Sequence, residues 1–189
     1  MNAIDALIQK FGNPLLDPSQ IQQYVVQWKV PAYIRAAIPA LPAVIPVNAD
    51  VVEPLERTFR DLIKKGYAKE IKTFDGTFNV RPQTGTISTP STHAFAYSID
   101  LNAALNPWQG AVTWSSGFLQ VWRDNGWILG AEFKPPRVDG MHFEYTKYIA
   151  NPLLKPIDDA KAMVKEHKWI LPLGIAMVVG GIIWAATSD

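Results

Sequence analysis

The side chains of this sequence that are best suited to bind a metal ion are histidines and aspartates in two segments. The chain has 3 histidines and no cysteine, so a metal site must use histidine, aspartate or glutamate. His93 and Asp100 lie in the first segment, and Asp139 and His142 lie in the second. Two imidazoles and one carboxylate are a common set of zinc ligands that leaves the fourth tetrahedral position open for water. Such an open position is typical of catalytic zinc.

The spacing between His93 and Asp100 requires a bend in the chain. In a helix their Cα atoms would lie about 10 Å apart, too far to share an ion comfortably. In one straight strand their side chains would point to opposite faces, because the offset between them is odd. The small residues Ala94, Ala96 and Ser98 allow a close bend. Spacing alone does not identify a metal site, since a histidine and an aspartate seven residues apart in the sequence occur by chance in many proteins.

Three motifs surround these residues in a fixed order. They occupy residues 74–81, 91–102 and 139–145 and read FDGTFNVR, STHAFAYSIDLN and DGMHFEY. Together they resemble the D-alanyl-D-alanine carboxypeptidase and L-alanyl-D-glutamate endopeptidase family of zinc peptidases, which includes many phage endolysins. The resemblance covers roughly residues 51–148.

The resemblance implies a role for each of five residues. His93, Asp100 and His142 would be the zinc ligands. Asp139 would be the general base on the zinc-bound water, and Arg81 would contact the substrate carbonyl or the oxyanion. Zinc would lower the pKa of its bound water and polarise the scissile carbonyl while Asp139 accepts the proton. The implied substrate is the peptide part of bacterial peptidoglycan, and the implied cofactor is Zn²⁺.

Three residues depart from the family pattern. Ala96 stands where the family usually has glycine, and Ser98 stands where it usually has alanine. Phe133 stands where many relatives have tryptophan near the substrate groove. Ala96 matters most if its position requires a positive φ, which glycine adopts freely and alanine does not. These departures bear on substrate specificity more than on metal binding.

The site residues also have simpler interpretations. His93 could be a surface histidine or a hydrogen-bonded core histidine, and Asp139 could be an ordinary turn residue. Arg81 could form a surface ion pair. Glu144 shares a strand face with His142, so it could orient that ligand from behind or form a structural salt bridge.

Apolar residues at helical spacing predict three helices in the first 125 residues. They cover residues 4–11, 51–65 and 116–125, and the first is stopped by Gly12. Prolines recur between residues 31 and 54, which favours extended segments. Three tryptophans are expected in the core: Trp114, Trp122 and Trp127.

Short apolar runs between turn signals predict strands after residue 67. In the last run Met141, Phe143 and Tyr145 would share one face of a strand, while His142 and Glu144 would share the other. We therefore predict an α+β fold in which a small antiparallel sheet carries the zinc site between flanking helices.

The length of 189 residues, 48% of them hydrophobic and 19% charged, suits one domain with a short appendage. We divide the chain into an N-terminal helix with a proline-rich extended segment (1–50), a zinc peptidase core (51–148), a linker or juxtamembrane helix (149–168) and a transmembrane helix (169–187). A net charge of +1 gives no basic surface for phosphates, so nucleic acid is not an expected partner.

The C-terminal segment has the pattern of one membrane pass. Residues 169–188 carry no charge, and about 18 helical residues span roughly 27 Å, close to the thickness of the hydrocarbon layer. Trp169 and Trp184 stand near the two ends, and lysines precede the segment. We predict an anchor in a lipid bilayer; the alternative is a buried apolar helix.

The expected function is hydrolysis of peptidoglycan stem peptides by an endopeptidase. The alternatives are a D,D-carboxypeptidase of the same family and a catalytically silent, membrane-anchored structural protein that keeps the fold. No signal peptide is recognisable, and the lysines favour an interior N-terminal side, although the substrate lies outside the cytoplasm. A bacteriophage virion would resolve this conflict, with virion proteins as partners; a bacterial inner membrane is the alternative location.

Overall fold

The structure is a computed structural model that describes residues 2–146. All of these residues belong to one unit of the chain, Met1–Leu154, whereas the second unit, Lys155–Asp189, lies wholly outside the described range. The predicted juxtamembrane and transmembrane segments, 149–168 and 169–187, therefore lie outside the described residues as well. Between residues 2 and 146, none of the helices has the length and apolar character needed to cross a bilayer.

The described chain contains both helices and short strands, mixed along the sequence. The α-helices are α1 (Ala3–Phe11), α2 (Ser19–Gln22), α3 (Ala32–Ala37), α4 (Ala49–Lys64) and α5 (Ser116–Asp124). The strands are β1 (Val25–Lys29), β2 (Val44–Asn48), β3 (Phe74–Gly76), β4 (Ser98–Leu101), β5 (Ile128–Leu129) and β6 (His142–Glu144). Single 3₁₀ turns cover Ala68–Glu70, Thr92–Phe95 and Gly130–Glu132.

The strands form two antiparallel sheets. Strands β1 and β2 pair with each other, and the larger sheet has the order β3-β4-β6-β5. This arrangement confirms the predicted α+β class with a small antiparallel sheet. Strand β2 lies in the proline-rich segment that was predicted only as extended, and β1 precedes that segment. Their pairing was not predicted, because extended conformation follows from local prolines whereas strand pairing depends on residues distant in sequence.

Helix α4 begins two positions earlier than the apolar pattern predicts. The side chain of Asn48 accepts a hydrogen bond from the Asp50 amide and so caps the helix. Pro54 consequently lies inside the helix, where its ring removes one backbone hydrogen bond. The Thr58 hydroxyl donates to the Pro54 carbonyl at 2.7 Å. The buried face of α4 consists of apolar residues at helical spacing: Val51, Leu55, Phe59 and Leu62.

An aromatic cluster joins helix α5 to strand β6. The rings of Trp122 and Phe143 stack with centroids 4.3 Å apart, and both side chains are fully buried. Trp114 stacks on Phe118 at 4.2 Å, and Trp127 packs edge-on against Trp122 at 4.9 Å. The three tryptophans that were expected in the core are thus buried there. Because Phe143 follows His142 in the strand, this packing fixes the backbone that carries a candidate metal ligand.

Residues 2–50 pack into the same hydrophobic core as the rest of the described chain. Phe11 lies 5.7 Å from Tyr97 between ring centroids. Asn48 donates its side-chain amide to the Phe95 carbonyl at 3.2 Å and its backbone amide to the Ala96 carbonyl at 3.1 Å. The core therefore has no break at the boundary drawn after residue 50, which falls inside helix α4.

Ala96 has a left-handed backbone conformation, with φ 54° and ψ 36°. We expect Ala96→Gly to raise the free energy of unfolding by about 1 kcal/mol, because an alanine Cβ is strained in this region and glycine is not. Chemical denaturation of the full chain measures the change. Ala94→Gly is the matched control, since Ala94 is also buried but has no positive φ, and it should destabilise the protein. A loss of stability in Ala96→Gly as large as that in Ala94→Gly would contradict the strain at Ala96.

Candidate metal centre

The structure brings His93, Asp100 and His142 into one cluster. The Nε2 atom of His93 and the Nδ1 atom of His142 lie 3.1 and 3.0 Å from the same Asp100 Oδ1 atom. The two imidazole nitrogens lie 3.1 Å from each other. Both rings are buried. The three residues thus each point one ligand atom at a common position, and these atoms all lie within 4.8 Å of one another.

A tight turn and a strand pairing produce this convergence. His93 lies in the 3₁₀ turn Thr92–Phe95, and the left-handed Ala96 ends that turn and redirects the chain into strand β4. Strand β4 pairs with β6 in a register that sets Asp100 opposite His142. The bend that the spacing of His93 and Asp100 requires is therefore located at Ala96, where the family usually has glycine.

Hydrogen bonds on the outer side of each ring orient the two histidines. His93 Nδ1 lies 3.0 Å from the Thr77 carbonyl, and a carbonyl can only accept, so this nitrogen carries the proton. His142 Nε2 lies 3.2 Å from Glu144 Oε2. Each ring therefore turns its other nitrogen to the common position, as metal-binding histidines do when a carbonyl or carboxylate holds them from behind. Glu144 therefore holds the His142 ring through a hydrogen bond as well as through its negative charge.

Two threonine hydroxyls donate hydrogen bonds to Glu144, and a serine hydroxyl donates to one of these threonines. Thr92 Oγ1 donates to Glu144 Oε2 at 3.1 Å, and Thr146 Oγ1 donates to Glu144 Oε1 at 2.8 Å. The Ser98 hydroxyl donates in turn to Thr92 Oγ1. The serine that replaces the usual alanine at position 98 therefore has a buried hydrogen-bonding partner, and its hydroxyl is satisfied.

The chemistry and spacing of these atoms fit a divalent metal ion. Donor atoms about 2.0–2.1 Å from a tetrahedral zinc ion stand roughly 3.3 Å apart, and the atoms of the cluster stand 3.0–3.1 Å apart. Lone pairs at such distances repel unless a proton or a cation lies between them. Nitrogen and oxygen donors without sulfur suit zinc and related ions.

The Asp139 carboxylate lies beside the cluster with one oxygen unsatisfied. Its backbone amide donates to the Gly130 carbonyl at 2.9 Å, and its carbonyl accepts from the His142 amide at 3.1 Å. A side chain at Gly130 would clash, because a Cβ there would lie 2.3 Å from the Asp139 carbonyl oxygen. The Oδ1 atom is buried and has no hydrogen-bond partner in the described part of the chain. Burial raises the pKa of Asp139 above its usual value.

Arg81 and Asp139 line the same cavity as the two histidines. The cavity has a volume of about 410 Å³. Arg81 is half-buried and donates from Nη1 to the Pro82 carbonyl at 3.2 Å, and it forms no ion pair within residues 2–146. Its guanidinium therefore has donors left for a ligand in the cavity.

Several cavity residues could not be identified from the sequence. Trp108, Lys134 and Arg137 line the cavity, and none of them belongs to the three motifs. Phe133, which was expected near the substrate groove, also lines it, and its ring centroid lies 6.2 Å from that of His142. The N-terminal helix contributes Ala3 and Ile4, a contact that depends on tertiary packing.

A second, smaller cavity lies on the side of the cluster formed by strand β3 and the residues after it. Its volume is about 210 Å³, and its lining includes Thr77, Asn79, Arg81, His93 and Asp100. His93 and Arg81 line both cavities, and Asp100 lines only the smaller one.

The two carboxylates beside His142 stabilise its protonated form. Burial alone would lower the pKa of His142, but hydrogen bonds and charge interactions with Asp100 and Glu144 raise this pKa to about 10. Burial opposes ionisation of Asp100, but the two histidines overcome that effect and hold its pKa well below its usual range. In the metal-free protein at neutral pH, His142 therefore carries a proton that a metal ion must displace.

We expect metal binding at pH 7 to release about one proton per ion, because His142 can bind a metal only after losing one proton. Metal affinity should fall as the pH falls below 10, since protons compete more strongly. Calorimetric zinc titrations in two buffers of different ionisation enthalpy measure the released protons. Glu144→Gln should reduce their number by lowering the pKa of His142, and Glu132→Gln, a surface control, should not. Equal release in wild type and Glu144→Gln would contradict this account of His142.

Comparison with known proteins supports a peptidase. A family model described as D-alanyl-D-alanine carboxypeptidase matches residues 84–145, a range that contains His93, Asp100, Asp139 and His142 and begins after Arg81. No curated protein and no solved structure matched the chain. The match confirms the family that the three motifs resemble. Residues 84–145 of the chain are therefore similar to the D-alanyl-D-alanine carboxypeptidase family of peptidases.

Proposed function

We propose that this protein is a zinc-dependent peptidase that cuts the stem peptides of bacterial peptidoglycan as an endopeptidase. One observation carries the proposal: the cluster of His93, Asp100 and His142 borders a cavity that is also lined by Asp139, whose Oδ1 has no hydrogen-bond partner, and by Arg81. A ligand set, a base and a cation beside one cavity are the parts that metal-assisted hydrolysis of a peptide requires.

The residues of the site have three separate roles in the proposed reaction. His93, Asp100 and His142 would hold the zinc ion, whose contribution when bound is Lewis-acid chemistry on water and on the scissile carbonyl. Asp139 accepts the proton of the attacking water, since its Oδ1 has no other partner, and passes a proton to the leaving amine. Arg81 donates hydrogen bonds to the oxyanion that develops on the carbonyl.

The elevated pKa of Asp139 suits this double role. A carboxylate with the usual low pKa is a weak base and gives up a proton too readily to hold it between the two steps. Burial moves the pKa of Asp139 upward, toward the pH at which the enzyme would act. The charge of His142 opposes that shift most strongly, and the charges of His93 and Arg81 oppose it as well.

Two cavities near the cluster favour an endopeptidase. An endopeptidase must accommodate the peptide on both sides of the scissile bond, and cavities of about 410 and 210 Å³ border the cluster. Arg81, which lines both, would lie near the scissile carbonyl. A D,D-carboxypeptidase remains the second candidate, because the matching family is described by that activity.

The departures Ala96 and Ser98 are compatible with an active enzyme. Ala96 adopts the left-handed conformation that the turn requires, and Ser98 forms a buried hydrogen bond. These observations weigh against the alternative of a catalytically silent structural protein.

The location of the protein rests on sequence alone. Anchoring in a lipid bilayer follows from residues 149–187, which lie outside the described residues. We propose a phage virion as the location, with virion proteins as partners, and a bacterial inner membrane as the alternative. This proposal is independent of the chemistry of the site.

Incubation of the zinc-loaded full chain with purified peptidoglycan tests the proposed function. Mass spectrometry of the products should find new peptide termini within the stem peptide, as an endopeptidase generates. Asp139→Asn should lower the rate by about 10²–10⁴-fold, the usual contribution of a general base, and retain the metal, because Asp139 is not a ligand. Asp124→Asn, on the protein surface, is the matched control.

Two outcomes would overturn parts of the proposal. Release of terminal D-alanine alone would identify a carboxypeptidase. Absence of any new terminus from the zinc-loaded protein would contradict the peptidase assignment, and near wild-type hydrolysis by Asp139→Asn would show that another group is the base.

A further inference from the structure

Two cations on the rim of the main cavity have no role in the mechanism above. Lys134 and Arg137 lie in the loop between the 3₁₀ turn Gly130–Glu132 and Asp139, and both line the cavity. Both side chains are exposed. The Arg137 amide donates to the Lys134 carbonyl at 2.9 Å, so a tight turn brings the two residues together.

No carboxylate of residues 2–146 neutralises these two cations. Neither side chain forms an ion pair or a hydrogen bond within that range. Glu132, the nearest acidic residue before them in the sequence, pairs with Arg123. Glu144, which also lines the cavity, accepts its hydrogen bonds from His142, Thr92 and Thr146.

The charges that shift the pKa of the Asp139 carboxylate come from residues other than Lys134 and Arg137. The charges that act on it belong to the residues of the cluster and to one arginine: His142, Asp100, His93 and Arg81. Lys134 and Arg137 are thus separate from the catalytic charges, although they border the same cavity. They are available to a ligand that enters it.

The chemistry of the substrate supplies a matching anion. Within a stem peptide, D-glutamate is linked to the next residue through its side-chain carboxyl, which leaves its α-carboxyl free, and the peptide ends in a free carboxylate. Lysine and arginine bind carboxylates through charge-assisted hydrogen bonds. A cationic rim also raises the local concentration of an anionic substrate.

We propose that Lys134 and Arg137 form a carboxylate subsite that makes the enzyme prefer stem peptides with a free carboxyl group over amidated ones. This inference rests on the proposed function and adds the group by which substrates are distinguished. The two residues determine specificity, and they take no part in the proton transfers.

The test uses the zinc-loaded full chain and the peptide L-Ala-γ-D-Glu-L-Lys-D-Ala-D-Ala. One analogue carries an amide at the D-glutamate α-carboxyl, and a second carries an amide at the C-terminus, so the two sources of the carboxylate are separated. One of the amides should raise KM by about threefold to tenfold in the wild type, with kcat nearly unchanged, as expected for an exposed charge pair. Lys134→Gln combined with Arg137→Gln should abolish that difference.

Lys69→Gln is the matched control, since Lys69 is exposed and lies outside the residues that line either cavity. It should keep the wild-type preference. Calorimetric binding of the same peptides to the Asp139→Asn variant gives a readout that does not depend on turnover, and the free-carboxyl peptide should bind about threefold to tenfold more tightly.

The outcomes separate this inference from the function on which it rests. Equal KM for all three peptides, or a preference that survives the double substitution, would overturn the carboxylate subsite and leave the peptidase intact. Failure of the wild type both to cleave peptidoglycan and to bind any of the peptides would overturn the proposed function and this inference with it.

Discussion

The buried contact between the Asp100 carboxylate and two imidazoles is the constraint on which the rest of the site depends. A carboxylate taken out of water costs several kcal/mol unless positive charge and hydrogen bonds offset the loss. His93 and His142 both reach the same oxygen of Asp100, and a proton or a metal ion supplies the positive charge. The fold must therefore bring His142 to the same position as His93 and Asp100, which lie in another part of the sequence.

A turn, a strand register and a core contact together bring these three residues to one position. The left-handed Ala96 reverses the chain between His93 and Asp100, and the register of β4 with β6 sets Asp100 against His142. Behind β6, Phe143 is packed against Trp122, which prevents the strand from shifting. Core packing and site geometry are thus coupled through adjacent residues of one strand, since His142 faces the cavity and Phe143 faces the core.

Local patterns predicted much of the fold, and the family resemblance selected the residues of the candidate site. The apolar repeat placed α4 and α5 to within two residues at each end, and the alternation at residues 141–145 assigned Phe143 and His142 to opposite faces. The resemblance selected five site residues, and their geometry in the structure is consistent with the roles it implies. The exact start of α4 was missed because the cap at Asn48 is a side-chain hydrogen bond, which the apolar repeat does not report.

The features that could not be predicted all depend on contacts between distant segments. The pairing of β1 with β2, the position of α1 at the cavity, and the exposure of Lys134 and Arg137 on its rim leave no local pattern in the sequence. Gly130 is a further example. Its position accepts only glycine because the Asp139 backbone packs where a side chain would lie.

The proposed function requires one metal ion, held by His93, Asp100 and His142, for this protein to act as a peptidase. The most direct measurement removes the metal from the full chain and follows peptidoglycan hydrolysis as zinc is added back. We expect no hydrolysis without metal and a rise in activity that ends at about one zinc per chain, since the cluster supplies one set of ligands. Full hydrolysis by the metal-depleted protein, or none at any zinc content, would contradict the proposed function.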